Sequence, residues 1–153
     1  MLFRSPRAAG DRGGVMFVIE KPLPAVTEDG APYWEACRAG ELRAQRCTAC
    51  GHLRWPPSVL CPRCLAEGGE WGPLSGRGEI YSFIVVYRPQ HPAFFDDVPY
   101  NVVIVELEEG IRLHSSVVGC ANEELRVGMP VEVVFDKVND EVTLPRFRPR
   151  RSG

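Results

Sequence analysis

The sequence predicts a mainly β protein, in which a short N-terminal helix and a four-cysteine metal ribbon precede a five-stranded Greek-key barrel. Three observations carry that reading. Cys47, Cys50, Cys61 and Cys64 form two C-x2-C pairs with ten residues between them. The stretch 27–40 has the caps and spacing of one helix. From residue 78 onward, β-branched and aromatic runs alternate with Gly, Pro, Asn and Asp. The length of 153 residues suits one domain or two small ones, and 44% hydrophobic against 25% charged residues excludes a wholly disordered chain.

Taken in order, residues 1–15 are rich in Arg, Gly, Ala and Pro without periodicity, and are expected to form a disordered leader, with Met16 as an alternative start. Residues 16–77 are expected to hold the helix and the metal module. In TEDGAPYWEACRAG, Thr27 or Asp29 can cap, Pro32 suits a first turn and Gly40 can end the helix. Tyr33, Trp34 and Cys37 then share a face; packing against the metal module is the plainer reading, ligand contact the other. ELRAQRC leads into the first cysteine pair as a strand, and EWGPLSG leaves the second.

The cysteine spacing has a geometric reason. Each C-x2-C turn points two sulfurs at one ion, and a second turn completes a tetrahedron at about 2.3 Å. Gly51 supplies the tight backbone after the first pair, and Pro62 stiffens the second. Four thiolates leave no open coordination position, so the expected ion is a structural Zn²⁺, with iron in the same cage as the alternative; a redox dithiol needs only one pair. Cys37 and Cys120, in apolar surroundings, are expected to be inert core thiols.

Residues 78–149 are expected to form the barrel, with strands over 79–87, 100–108, 111–119, 131–138 and 141–147 and a basic tail at 150–153. Glu108-Glu109-Gly110 and Asn139-Asp140 make tight hairpins, and CANEELRVGMP supplies about one helical turn between the third and fourth strands. That layout is a small Greek-key barrel of the OB type, with an open sandwich as the alternative. Alternation places Ile80, Ile84, Val103, Val105, Val117, Val133 and Phe135 inward.

Charge and chemistry then narrow the function. The formal net charge is -2, but the ends are basic and residues 16–144 carry -8, a poor match for tracking a phosphate backbone. No apolar run approaches the roughly 18 residues of a membrane helix or forms a signal region, so the protein is expected to be soluble and cytoplasmic, without a membrane partner. His52, His91 and His114 are scattered, and none sits with a nucleophile and an orienting acid, so no catalytic residue is assigned. Asp96-Asp97 and Glu108-Glu109 read as solvated loop charges. The loop YRPQHPAFFDDVPY is longer than a hairpin requires and carries Tyr87, Arg88, His91, Phe94, Phe95 and Tyr100, candidates for contact with a partner or a bound ligand. The competing reading has Phe94 and Phe95 plugging the barrel end.

These segments also carry a resemblance. CTACGHLRWPPSVLCPRC, GEIYSFIVVYRP, PYNVVIVELEEGIRLHSSVVG, LRVGMPVEVVF and LPRFRP, in that order over about 32–149, resemble the family of acyl-CoA-associated proteins built from a rubredoxin-like zinc ribbon and an OB-fold domain. The resemblance implies a noncatalytic accessory subunit of a thiolase-fold, lipid-transfer-protein-like enzyme subunit, assembled as a hetero-oligomer and sharing its acyl-CoA substrate. The activity it implies is that of a retro-aldolase, a carbon-carbon lyase of steroid side-chain degradation. The alternatives are an accessory subunit of an acyl-CoA hydratase or synthase, or a single-stranded nucleic-acid binder of the same architecture.

Overall fold

Helix α1 (Ala31–Arg38) is short, and its two ends are fixed by different devices. Gly30, not Thr27 or Asp29, occupies the N-cap position; Thr27 acts one turn earlier, its Oγ1 accepting from the Gly30 N–H at 3.3 Å. At the other end Gly40, at φ +80°, donates its N–H to Cys37 O while the Glu41 N–H reaches Ala36 O, a Schellman closure that glycine adopts without steric cost. The computed structural model describes residues 19–151. The expected leader over 1–15, Met16 and the last two residues of the basic tail lie outside the described residues.

The metal module is a three-stranded antiparallel sheet. Strand β1 (Arg43–Arg46) lies between β2 (Leu53–Arg54) and β3 (Glu70–Pro73), with Gln45 opposite both Arg54 and Trp71. The barrel follows in β4 (Arg77–Val86), β5 (Tyr100–Leu107), β6 (Arg112–Ser115), β7 (Pro130–Lys137) and β8 (Thr143–Pro149), ordered β6-β5-β4-β7-β8. Its two edges meet at a parallel bridge between Val117 and Phe147: the Val118 N–H donates to Phe147 O at 2.8 Å and the Phe147 N–H to Ser116 O at 3.0 Å. That junction closes the curled sheet in OB-fold order and sets aside the open sandwich.

Two expectations about the barrel need correction. The third strand stops at Ser115 instead of reaching residue 119, because the chain leaves β5 there to bridge β8. The link after it does hold the single short turn expected, a 3-10 turn at Asn122–Glu124. Ile84 faces outward and is 60% exposed, because a bulge between Ile80 and Ser82 shifts the strand's phase. Phe83 therefore stands opposite the buried Val103, and Ile84 opposite Val102. The other inward assignments agree: Ile80, Val103, Val105 and Val117 are buried, and Val133 and Phe135 pack against that core. Phe147 is the largest of its fully buried side chains, and Tyr33, Cys37, Leu42 and Ala44 extend the same cluster from the helix and the ribbon. Gly78 permits the tightest backbone approach in β4, since a Cβ there would lie 2.2 Å from Glu106 O. No helix among the described residues is long and apolar enough to cross a membrane.

Candidate functional site

The two cysteine pairs fold into near-identical turns. In the first, the Cys47 N–H donates to His52 O and the Gly51 N–H to Cys47 O, both at 2.9 Å; in the second, Cys61 to Ala66 O and Leu65 to Cys61 O repeat those bonds at 2.9 Å. Gly51, at φ +72°, has its counterpart in Leu65, at φ +61°, a left-handed position that the sequence gives no signal for. All four sulfurs lie within 4.8 Å of one another, with Cys47 to Cys64 at 3.6 Å and Cys50 to Cys61 at 3.7 Å. These separations are close to the roughly 3.8 Å edge of a tetrahedron with 2.3 Å metal–sulfur bonds.

The electrostatics of the cluster call for a cation. The Cys50 N–H holds the Cys47 thiol below its ordinary range, and although burial opposes ionisation of Cys61, the N–H groups of Arg63 and Cys64 bring it down to about 6. For Cys64 the Ala66 N–H favours the thiolate, but the crowding sulfurs of Cys50, Cys47 and Cys61 prevail and push it up to about 12. Backbone dipoles thus favour thiolates that repel one another, an arrangement a bound divalent ion relieves. The donor set fits structural zinc held by Cys47, Cys50, Cys61 and Cys64. His52 is no part of the cluster; its role there is its backbone carbonyl.

A groove of about 390 Å³ runs between the helix, the ribbon and the barrel. One wall is aromatic: Tyr33 packs edge-on to Trp34 at 5.1 Å and against Trp55 at 4.2 Å. The opposite wall is Phe94 and Tyr100, 5.9 Å apart. Charges bordering it are matched internally. Lys21 pairs with Asp97 at 2.5 Å and lies 5.7 Å from the Phe94 ring, so Asp97 is not the free loop charge that the sequence suggested. Arg146 donates to Asp136 at 2.9 Å and to Ser116 Oγ. Burial pushes the Tyr33 hydroxyl well above its ordinary range and the Cys37 thiol beside it up to about 11, so both stay protonated.

The loop over 87–100 divides between the two readings of its aromatics. Phe94 and Tyr100 are half-buried and line the groove, whereas Tyr87 and Phe95 are 68% and 55% exposed and Arg88 is exposed. His91 caps the 3-10 turn Pro92–Phe94, its Nδ1 accepting from the Ala93 N–H at 3.2 Å, and stacks edge-on to Phe94 at 6.0 Å. His114 and Ser115 of β6, with Ser116 just beyond it, border the same groove, and among the described residues no carboxylate pairs with the His114 ring. The sequence reading missed Trp55 and Arg146 as groove residues. Trp55 follows β2 in the ribbon and Arg146 lies on β8 of the barrel, so they share the groove only because the ribbon packs on the barrel.

Residues 34–68 match the family described as "ChsH2, rubredoxin-like zinc ribbon domain", and residues 71–136 match "ChsH2, C-terminal OB-fold domain". A probable enoyl-CoA hydratase alpha subunit of Thermomonospora curvata is 43% identical over 129 residues, covering 84% of this chain; this chain spans only 40% of that protein. A DUF35 domain-containing scaffold protein of Methanothermobacter thermautotrophicus is 41% identical over 65% of this chain and 75% of its own length. The benzoylsuccinyl-CoA thiolase subunit BbsA of Thauera aromatica is 34% identical over 67% of this chain and 69% of its own. Among solved structures, a chain of the "Ltp2-ChsH2(DUF35) aldolase" superposes with a TM-score of 0.75 at 42% identity, covering 83% of this chain and 98% of that one.

Proposed function

The chain belongs to the ChsH2 family of zinc-ribbon and OB-fold proteins, and on that premise we propose that it is a noncatalytic accessory subunit of a thiolase-fold enzyme acting on acyl-CoA. The observation that carries the reading is the match over 98% of the ChsH2-type chain in an aldolase named for two components, Ltp2 and ChsH2. A subunit of a benzoylsuccinyl-CoA thiolase and an archaeal scaffold protein point the same way. The finer reading is a retro-aldolase of steroid side-chain degradation, with the complex in the cytoplasm.

The residues of this chain suit such a role. Among the described residues no histidine lies with both a nucleophile and an acid, which leaves the bond-breaking to a partner. Zinc, when bound, makes the ribbon a rigid knob; no reacting group needs to approach it. The exposed Tyr87, Arg88 and Phe95 offer the aromatic and guanidinium anchors that dominate protein interfaces. Phe94 and Tyr100 hold that loop against the groove, so the anchors sit on a fixed base. The acidic body argues against nucleic acid.

Coexpression with a thiolase-fold partner tests this reading. The two chains should copurify and cleave a steroid side-chain acyl-CoA together, and this chain alone should show no turnover. A second reading has one specific support, the 43% identity to a hydratase alpha subunit. If the complex hydrates an enoyl-CoA and leaves the carbon–carbon bond of the hydroxyacyl thioester intact, that reading replaces the aldolase.

A further inference from the structure

Arg54 is 3% exposed, the most deeply buried charged side chain among the described residues. Its Nε donates to Gln45 Oε1 at 2.8 Å and its Nη2 to Gly68 O at 2.9 Å, while Nη1 is buried without a partner. None of the ion pairs among the described residues includes it. Burying a guanidinium without a counter-charge is among the costliest arrangements a fold can hold. The three acidic residues of the module do not offset it: Glu41 pairs with Arg43, and Glu67 and Glu70 are exposed.

Its position ties it to both cysteine turns. Arg54 follows His52 by two residues, and His52 O accepts from the Cys47 N–H. Gly68, whose carbonyl it holds, follows Ala66 by two residues, and Ala66 O accepts from the Cys61 N–H. The side chain therefore spans the exits of both cysteine turns. The packing there is tight, since a Cβ on Gly69 would meet Arg54 Nη2 at 2.9 Å. A divalent ion in four thiolates carries a net charge of about -2 by simple bookkeeping.

We propose that Arg54 is the built-in counter-charge of the tetrathiolate metal centre, a positioning residue that clamps the two cysteine turns and stabilises the anionic site they form. It is no ligand itself. The charge and the clamp are separable: the Nη2 bond ties the exit of the second turn to Arg54 at the exit of the first, the Nε bond holds Gln45 on the strand that enters the first, and the buried positive charge favours the metal-loaded dianion. Arg46 provides a natural control. It also touches a cysteine turn, donating to Gly51 O at 2.9 Å, but from an exposed position where water screens its charge.

The test uses the full chain with two readouts. In zinc competition against 4-(2-pyridylazo)resorcinol, Arg54→Met should lose affinity about tenfold or more, the range typical for residues behind metal ligands. Arg54→Lys should recover most of it, and Arg46→Met should change it little. In the iron-substituted protein, the reduced centre is more negative than the oxidised one, so Arg54→Met should lower the reduction potential while Arg54→Lys leaves it near the parent value. Loss of a clamp alone predicts the reverse grouping, with Lys and Met variants equally impaired in zinc binding and neither moving the potential. Where Arg54→Met does not fold, Arg54→Gln replaces it in both measurements. Parental zinc affinity and potential in the charge-free variant would overturn the proposal.

Discussion

At the level of single residues, six cysteines fall into two chemical classes. The four in the turns share one cluster, and their folding is linked to the ion they hold, because a preformed site does not exist in the unfolded chain. Cys47→Ser should abolish stoichiometric zinc by elemental analysis and unfold the ribbon; full metal content with unchanged melting would contradict the site. The other two thiols differ from each other. Burial pushes Cys37 up to about 11, so at pH 8 it remains a protonated and inaccessible thiol. Cys120 is only half-buried, although burial and then Glu124 also raise it. Iodoacetamide at pH 8 should therefore modify Cys120 and spare Cys37 while zinc is bound. Because burial raises Cys37 from its ordinary 9.0 to about 11, the stability from keeping it neutral is fully present below about pH 9 and is lost progressively as pH rises to about 11, where the folded chain ionises as well. The cysteine pairs were legible in the sequence because metal ligation dictates spacing. Leu65 in a left-handed conformation was not, since only the symmetry of the two turns requires it.

Among the elements, β4 decides the barrel's geometry. Gly78 lies where the backbones of β4 and β5 approach, and a methyl group there meets a carbonyl rather than a movable side chain. Gly78→Ala should cost about 2–4 kcal/mol in chemical denaturation, at the upper end for overpacking because backbone must shift. A loss under about 0.5 kcal/mol would show that the approach is looser than described. The same strand explains where alternation failed. Reading period two from Ile80 puts Ile84 inside, but the bulge adds one residue and turns Ile84 outward. A bulge leaves no composition signal of its own, whereas the Glu108-Glu109-Gly110 hairpin and the strands around it announced themselves by residue type. In the 87–100 loop, position separates two neighbours that the sequence could not rank. Phe94→Ala should lower stability by about 1–2 kcal/mol, as a half-buried ring lining the groove. Phe95→Ala should stay within about 0.5 kcal/mol and weaken partner association instead. Equal melting temperatures for the two variants would remove the distinction.

For the whole molecule, the helix and the ribbon contribute to the same apolar cluster as the barrel, and the aromatic groove exists only where the three meet. Tyr33 and Trp34 come from the helix, Trp55 from the ribbon, and Phe94 and Tyr100 from the barrel loop. Their convergence is invisible to periodicity, which reports one element at a time; the ordered set of motifs from the cysteine turns to the closing strand carried the family and with it the architecture. A platform of this kind, with a zinc-stiffened knob and a braced aromatic loop, suits the proposed accessory role. The direct measurement is acyl-CoA cleavage by three preparations: this full chain alone, its thiolase-fold partner alone, and the copurified pair. Carbon–carbon cleavage of the hydroxyacyl-CoA is expected only from the pair, with a lower rate or weaker association for Phe95→Ala or Arg88→Ala. Turnover by this chain alone, or a partner that copurifies with nothing and works at the full rate without it, would overturn the accessory role.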